Sequence, residues 1–157
     1  MKYTSTREDK ELLNFKQVTL KGLASDGGLY VPKNWKKPNL KFSNKDITFE
    51  KTAYEIIKYF VGKSLDNQLL KKLISRSYRS FRNKEITTLK QLDKNNYILE
   101  LYHGPTLAFK DIALQFLGNA FEVFLKKEKK KLTIIGATSG DTGSAAIDAV
   151  KNNKFSD

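Results

Sequence analysis

Within Leu101–Asp111 (LYHGPTLAFKD) one lysine stands where its charge is disfavoured. The apolar run Tyr97–Leu101 leads into the turn His103-Gly104-Pro105-Thr106. The apolar spacing beyond it predicts a helix from Leu107 to Leu125, with Lys110 in its first turn or so. The positive end of a helix dipole repels an ammonium group at such a place. Leu107, Ala108 and Phe109 add an apolar setting, which also disfavours the charged amine. A neutral lysine amine is a nucleophile suited to condensation with a carbonyl cofactor or substrate. His103, seven residues before Lys110, is either a pocket residue or a structural hydrogen-bonding one.

A second segment, Gly136–Gly143 (GATSGDTG), follows an apolar run and opens a predicted helix. Its glycines let the backbone turn tightly and a ligand come close. Free N–H groups at a helix N-terminus attract anions, and Thr138, Ser139 and Thr142 add hydroxyl donors. Together these form a cradle for a carboxylate or phosphate. No Gly-Lys-Ser/Thr closes it, so it is not a P-loop, and its glycine spacing is not the dinucleotide fingerprint. The plainer alternative is a tight strand-to-helix turn with Asp141 as N-cap. In a parallel sheet both segments would lie at the carboxyl ends of neighbouring strands, where open α/β sheets bind ligands. A lysine amine facing an anion cradle suits a phosphorylated aldehyde cofactor with an amino-acid substrate.

The elements that must position these segments fall into three blocks. Residues 1–45 read as irregular, with the turn signal Ser25-Asp26-Gly27-Gly28, the apolar trio Leu29-Tyr30-Val31, and Pro32, Trp35 and Pro38 marking loop. Residues 49–81 read as two amphipathic helices. One carries Phe49, Ala53, Ile56, Ile57, Phe60 and Val61; the other carries Leu65, Leu69, Leu70, Leu73, Ile74, Tyr78 and Phe81. Gly62 ends the first and Ser64 is the expected N-cap of the second. Residues 84–96 are polar and read as a linker, giving domains at 1–83 and 84–157.

The last block alternates strand (Tyr97–Leu101), helix (Leu107–Leu125), strand (Leu132–Ile135) and helix (Thr142–Val150), the grammar of a parallel α/β sheet. The buried side of its first helix is predicted to be Ile112, Ala113, Phe116, Leu117, Ala120, Phe121, Phe124 and Leu125. The small residues Gly143, Ala145, Ala146 and Ala149 would let the second lie close on the sheet. Two buried strands cannot complete a doubly wound sheet, and Asn152–Asp157 offers no third. The fold class expected is therefore α/β: a mainly helical N-terminal module, then the opening of a parallel-sheet domain in a truncated chain.

Composition narrows the function classes. The 157 residues carry a formal charge of +12 from 29 Lys and Arg against 17 Asp and Glu. A basic nucleic-acid-binding module is one reading of that charge. However, most lysines are scattered, and the densest run, Lys126–Lys131, falls at an expected helix end, where cations are favoured. The aromatics Phe49, Tyr54, Tyr59, Phe60, Tyr78 and Phe81 lie in or near core stripes rather than between basic residues. The absence of cysteine excludes disulfides and thiolate sites, and a single histidine argues against a histidine metal site, so no metal is expected. No run is long enough to span a bilayer and no signal-like segment opens the chain, so a cytoplasmic protein without membrane or nucleic-acid partners is expected.

The motif HGPTLAFKD (His103–Asp111) resembles the cofactor-lysine motif of the threonine synthases. ATSGDTG (Ala137–Gly143) resembles their substrate loop. These enzymes belong to the fold-type-II, or tryptophan-synthase-β-like, group that uses pyridoxal 5'-phosphate (PLP). Tyr3–Arg7 and Gly22–Pro32 (GLASDGGLYVP) resemble the opening module of the same family. The resemblance implies a lyase of threonine biosynthesis that converts O-phospho-L-homoserine and water to L-threonine and phosphate. It implies that Lys110 binds the cofactor covalently and then moves protons, and that Phe109 and Asp141 lie beside it. Thr138, Ser139, Gly140, Asp141 and Thr142 would bind the substrate. Asp111 would help fix the lysine rotamer, and Arg7 is a weaker anion contact. The family's phosphate-binding loop and its contact to the pyridine nitrogen are not in these 157 residues, so the chain alone is expected to be inactive. Another fold-type-II enzyme such as threonine dehydratase remains the nearest alternative, though the SGDTG form favours threonine synthase. An inactive gene fragment is a further one.

Overall fold

A computed structural model of the chain describes residues 1–7, 10–35, 37–38 and 47–154. The expectations for 39–45, within the irregular first block, and for Phe155–Asp157 lie outside the described residues. The chain forms two compact units, Met1–Lys71 and Lys72–Asp157.

The first unit is more regular than its sequence suggests. Strand β1 (Tyr3–Ser5) pairs antiparallel with β2 (Tyr30–Pro32), Thr4 facing Val31. Pro32 closes β2 as the last paired residue, a position where a missing N–H is tolerated. Between them lies helix α1 (Phe15–Lys21), which the sequence reading omits. Its signal is local: Asn14 accepts from the Gln17 N–H at 3.0 Å, and the Gln17 side chain accepts from the Asn14 N–H at 2.9 Å. This is a capping box built from Asn and Gln. Replacing Asn14 by alanine removes one half of it, and an early shift of the urea midpoint worth about 1 kcal/mol is expected.

Tyr3, Leu13 and Val18 form one buried cluster of this unit, with Met1, Phe15 and Tyr30 packed against it. The Tyr3 hydroxyl donates to the Phe60 carbonyl at 2.8 Å, and burial pushes its pKa up to about 12. Helix α2 (Phe49–Val61) begins at the Thr48 cap and ends at Gly62, as its periodicity predicts. A 3-10 turn (Gly62–Ser64) follows, then helix α3 (Asn67–Tyr78). Asp66, not Ser64, caps α3: its carboxylate accepts from the Leu69 N–H at 2.8 Å. Ser64 instead accepts from the Lys16 N–H at 3.3 Å.

The second unit departs further from expectation. Residues 84–96 are not merely a linker. Strand β3 (Thr88–Gln91) pairs antiparallel with β4 (Tyr97–Glu100), Leu89 facing Leu99. The short Leu92–Asn96 connection allows a hairpin, whereas a parallel pair needs a crossover of about a dozen residues or more. Asp93 organises the turn by accepting from the Asn95 and Asn96 N–H groups and the Asn96 amide, and these bonds hold its carboxyl below the usual range. Among the described residues both sheets are two-stranded and antiparallel. Leu132–Ile135, expected as a buried parallel strand, forms no named strand, and Ile135 is 94% exposed. Within that segment Leu132 alone makes an isolated β-bridge, one paired residue rather than a ladder.

Helix α4 (Asp111–Glu128) begins four residues later than predicted and ends three later. Its buried face is Asp111, Gln115, Gly118, Asn119, Ala120, Phe124 and Leu125, a stripe partly polar where an apolar one was expected; Ala113 is exposed. The neighbours explain this. The Asn119 amide donates to Ser77 Oγ at 3.2 Å and to the Gln115 carbonyl at 2.8 Å, and Gln115 donates to Asp148 at 2.8 Å. Among the described residues, helix α5 (Asp141–Val150) packs on α4. Gly118 makes the approach possible, since a Cβ there would fall on the carbonyl of Ala149. The Gly118 carbonyl in turn accepts from Asn153 at 2.8 Å.

Candidate functional site

The turn before α4 is built around one buried carboxylate. Asp111, the first residue of α4, is 0% exposed. Its two oxygens accept from the Thr106 N–H and the Thr106 hydroxyl, each at 2.8 Å. Gly104 lies flat against it, and any Cβ at that position would overlap the Asp111 side chain. Asp111 also suits the helix N-terminus by charge. Leu107 is held at φ 65°, a left-handed conformation that costs a residue with a Cβ about 1–2 kcal/mol. The Thr106–Asp111 bonds and successive i→i+3 contacts, Leu107 N–H to Gly104 carbonyl and Asp111 N–H to Ala108 carbonyl, impose it.

Lys110 is the N-cap residue of α4 rather than a residue of its first turn. Its carbonyl accepts from the Ala113 and Leu114 N–H groups, while its side chain leaves the helix. The ammonium lies 4.4 Å from the centroid of the Phe109 ring, and Phe109 is 59% exposed.

Lys110 and Phe109 line a hollow of about 440 Å³ with Leu101, Thr142 and three residues of α4, Ile112, Ala113 and Leu114. Its wall is almost wholly apolar, and its volume falls within the range of small-molecule pockets. It thus brings together three residues of the two motifs, Phe109, Lys110 and Thr142. Thr138, Ser139, Gly140 and Asp141 are exposed on the approach to α5 and do not line it.

The second loop has its own internal order. Gly140, at φ 145°, is the N-cap of α5, so Asp141 is the first helical residue and not the cap. Thr138 Oγ1 accepts from the Gly143 N–H at 3.0 Å and from the Gly140 N–H at 3.3 Å. Gly143 has no Cβ to block that hydroxyl. His103 Nε2 lies 3.2 Å from Glu100 Oε2, a partner the sequence reading does not supply. Arg7 donates to the Asp26 carbonyl at 2.9 Å, within the first unit's turn, where Asp26 also accepts from Ser5 and the Gly28 N–H. Among the described residues there is no group of three or more potential metal ligands, and no helix is long and apolar enough to cross a membrane.

This mixed α/β architecture matches the N-terminal part of solved threonine synthase structures. A PLP-bound threonine synthase from Brucella melitensis superposes with a TM-score of 0.90 at 37% identity, over 100% of this chain and 34% of that one. The yeast threonine synthase gives 0.84 at 39% identity, over 99% and 34%. Residues 2–78 match the family model of the threonine synthase N terminus. The threonine synthase of Schizosaccharomyces pombe is 46% identical over 97% of this chain and 32% of its own length, and that of Pseudomonas aeruginosa is 44% identical over 96% and 33%. Residues 2–78 thus match the threonine synthase N terminus, and the whole chain is similar to the N-terminal region of threonine synthases. It spans only that 32–33% of the length of these curated relatives.

Proposed function

We propose that this chain supplies the cofactor lysine of a PLP-dependent threonine synthase, a cytoplasmic fold-type-II lyase that converts O-phospho-L-homoserine and water to L-threonine and phosphate. On this reading residues 1–83 are its N-terminal domain and 84–157 open its catalytic domain. One observation carries the proposal: a lysine, an aromatic ring and a hydroxyl from two motifs 32 residues apart border one apolar hollow. The residues present fit the cofactor. A primary amine can bind an aldehyde, and the apolar wall with Phe109 suits a flat heteroaromatic ring. Bound PLP supplies the electron sink for carbanion chemistry.

The chain's own residues do the rest. Lys110 would hold the cofactor until the substrate amine takes its place, then take a proton from Cα and return one at a later step. The apolar wall offers water few hydrogen-bonding partners beside the amine. Thr142, at the rim, offers a hydroxyl and the N-terminal end of α5 to the substrate carboxylate, with Thr138, Ser139, Gly140 and Asp141 as the loop around it.

The testing experiment is a substrate profile of the full-length protein with PLP. Release of phosphate from O-phospho-L-homoserine together with formation of threonine is expected. Turnover of threonine without turnover of phosphohomoserine would overturn the assignment in favour of a dehydratase.

A further inference from the structure

We propose that Glu100 is a positioning residue for the lysine turn: it holds the His103 ring with its proton on Nε2 and so anchors the start of the segment that presents Lys110. This rests on the reading in which Lys110 holds the cofactor. Glu100 ends β4, whose preceding residues Tyr97, Ile98 and Leu99 are all about half exposed to solvent. The Glu100 and His103 side chains are instead 18% and 16% exposed, with Oε2 and Nε2 3.2 Å apart. A carboxylate oxygen can only accept, so a neutral imidazole facing it must carry its proton on Nε2. Nδ1 then keeps its lone pair and stands as an acceptor for an N–H or O–H group.

The titratable groups facing the ring are Glu100 and Tyr102. The Tyr102 ring centroid lies 4.7 Å from that of His103, and its hydroxyl meets the same carboxylate, which raises the phenol's pKa. From the segment before β3, Arg82 reaches His103 through its backbone N–H, 2.8 Å from the His103 carbonyl. His103 is thus held at both ring and backbone. The next residue, Gly104, is pressed on Asp111; Thr106 is bonded twice to Asp111; and Asp111 adjoins Lys110. Each contact in this series limits the freedom of the next, so a slack His103 would loosen the whole turn. The net charge of the pair is not needed for this role; an acceptor at the Glu100 position is.

The test uses full-length protein labelled with 15N-histidine, the His103 ring signals being assigned by their loss in His103→Gln. The Nε2–H tautomer is expected to dominate at alkaline pH. Glu100→Met keeps the side-chain size but removes the acceptor, and should give a mixture of tautomers. Its kcat should fall about tenfold, the worth of one net hydrogen bond, with KM changed far less. Glu100→Gln, whose amide oxygen still accepts, should restore both readings. A wild-type ring with its proton on Nδ1 overturns the proposal without any variant. So does a Glu100→Met protein with unchanged tautomer or unchanged kcat. Absence of phosphohomoserine turnover alongside the expected tautomers would instead sink the proposed reaction.

Discussion

Lys110→Ala in the full-length protein is expected to lower kcat with O-phospho-L-homoserine by about 10³-fold or more. Positioned proton transfer alone contributes about 10²–10⁴-fold, and the same amine is proposed to hold the cofactor. The neighbouring geometry makes the loss specific. Lys110 borders the apolar hollow, and the flanking residues Phe109 and Asp111 bring no amine. Stability should change little, because the side chain makes no hydrogen bond to a described residue and leaves α4 at its N-cap. Borohydride reduction in the presence of PLP, followed by peptide mapping, provides the second reading. Label should appear in the peptide containing Lys110 in the parent protein and vanish in the variant. Label on a different lysine, or a variant with parental kcat, refutes the assignment.

Asp111→Ala should be the most damaging single change in the turn itself. Asp111 is fully buried and satisfies both the N–H and the hydroxyl of Thr106. Its removal leaves a part-buried N–H without an acceptor and opens space against Gly104. An unsatisfied buried group costs about 1–3 kcal/mol, and the truncation adds to that. A further consequence is conformational. Leu107 stays at positive φ because the Thr106–Asp111 bonds hold the loop closed. Once they are gone the segment can relax, carrying Lys110 away from the hollow. Both the urea midpoint and kcat should therefore drop. Asp111→Asn keeps one carbonyl acceptor and should lose less on both measures. A variant Asp111→Ala with unaltered unfolding midpoint would show that the turn is held by other contacts.

Helices were the legible part of the fold. Thr48 and Gly62 bound α2, and the stripe from Leu69 to Tyr78 runs through α3, because capping and 3.6-residue periodicity are local properties written in adjacent residues. The lysine motif and the threonine-rich loop were legible for a similar reason: Gly104 marks a place where a side chain would overlap Asp111, and Gly140 a backbone angle, φ 145°, that other residues rarely adopt. Helix α1 was legible too, in Asn14 and Gln17, but its seven residues give too short an apolar pattern to stand out. Strand pairing was not. Tyr97–Glu100 reads equally as a buried parallel strand or as one arm of a hairpin, and the choice fell to the Asp93–Asn96 turn. The polar stripe on α4 was invisible because Gln115 and Asn119 are buried only when Asp148 and Ser77 arrive to pair with them.

By itself, then, the sequence determined which segments are helical, where the backbone must turn sharply, and that a lysine follows one such turn while a hydroxyl-rich loop follows another. It also carried the family motifs, since these are strings of adjacent residues. Tertiary structure alone decided that Phe109, Lys110 and Thr142 share one hollow, that α5 lies on α4 at Gly118, and that Glu100 meets His103. The physical reason is range. Dihedral preference, capping and amphipathic periodicity act over about four residues. Burial and hydrogen-bond satisfaction depend on which distant surfaces the folded chain brings into contact.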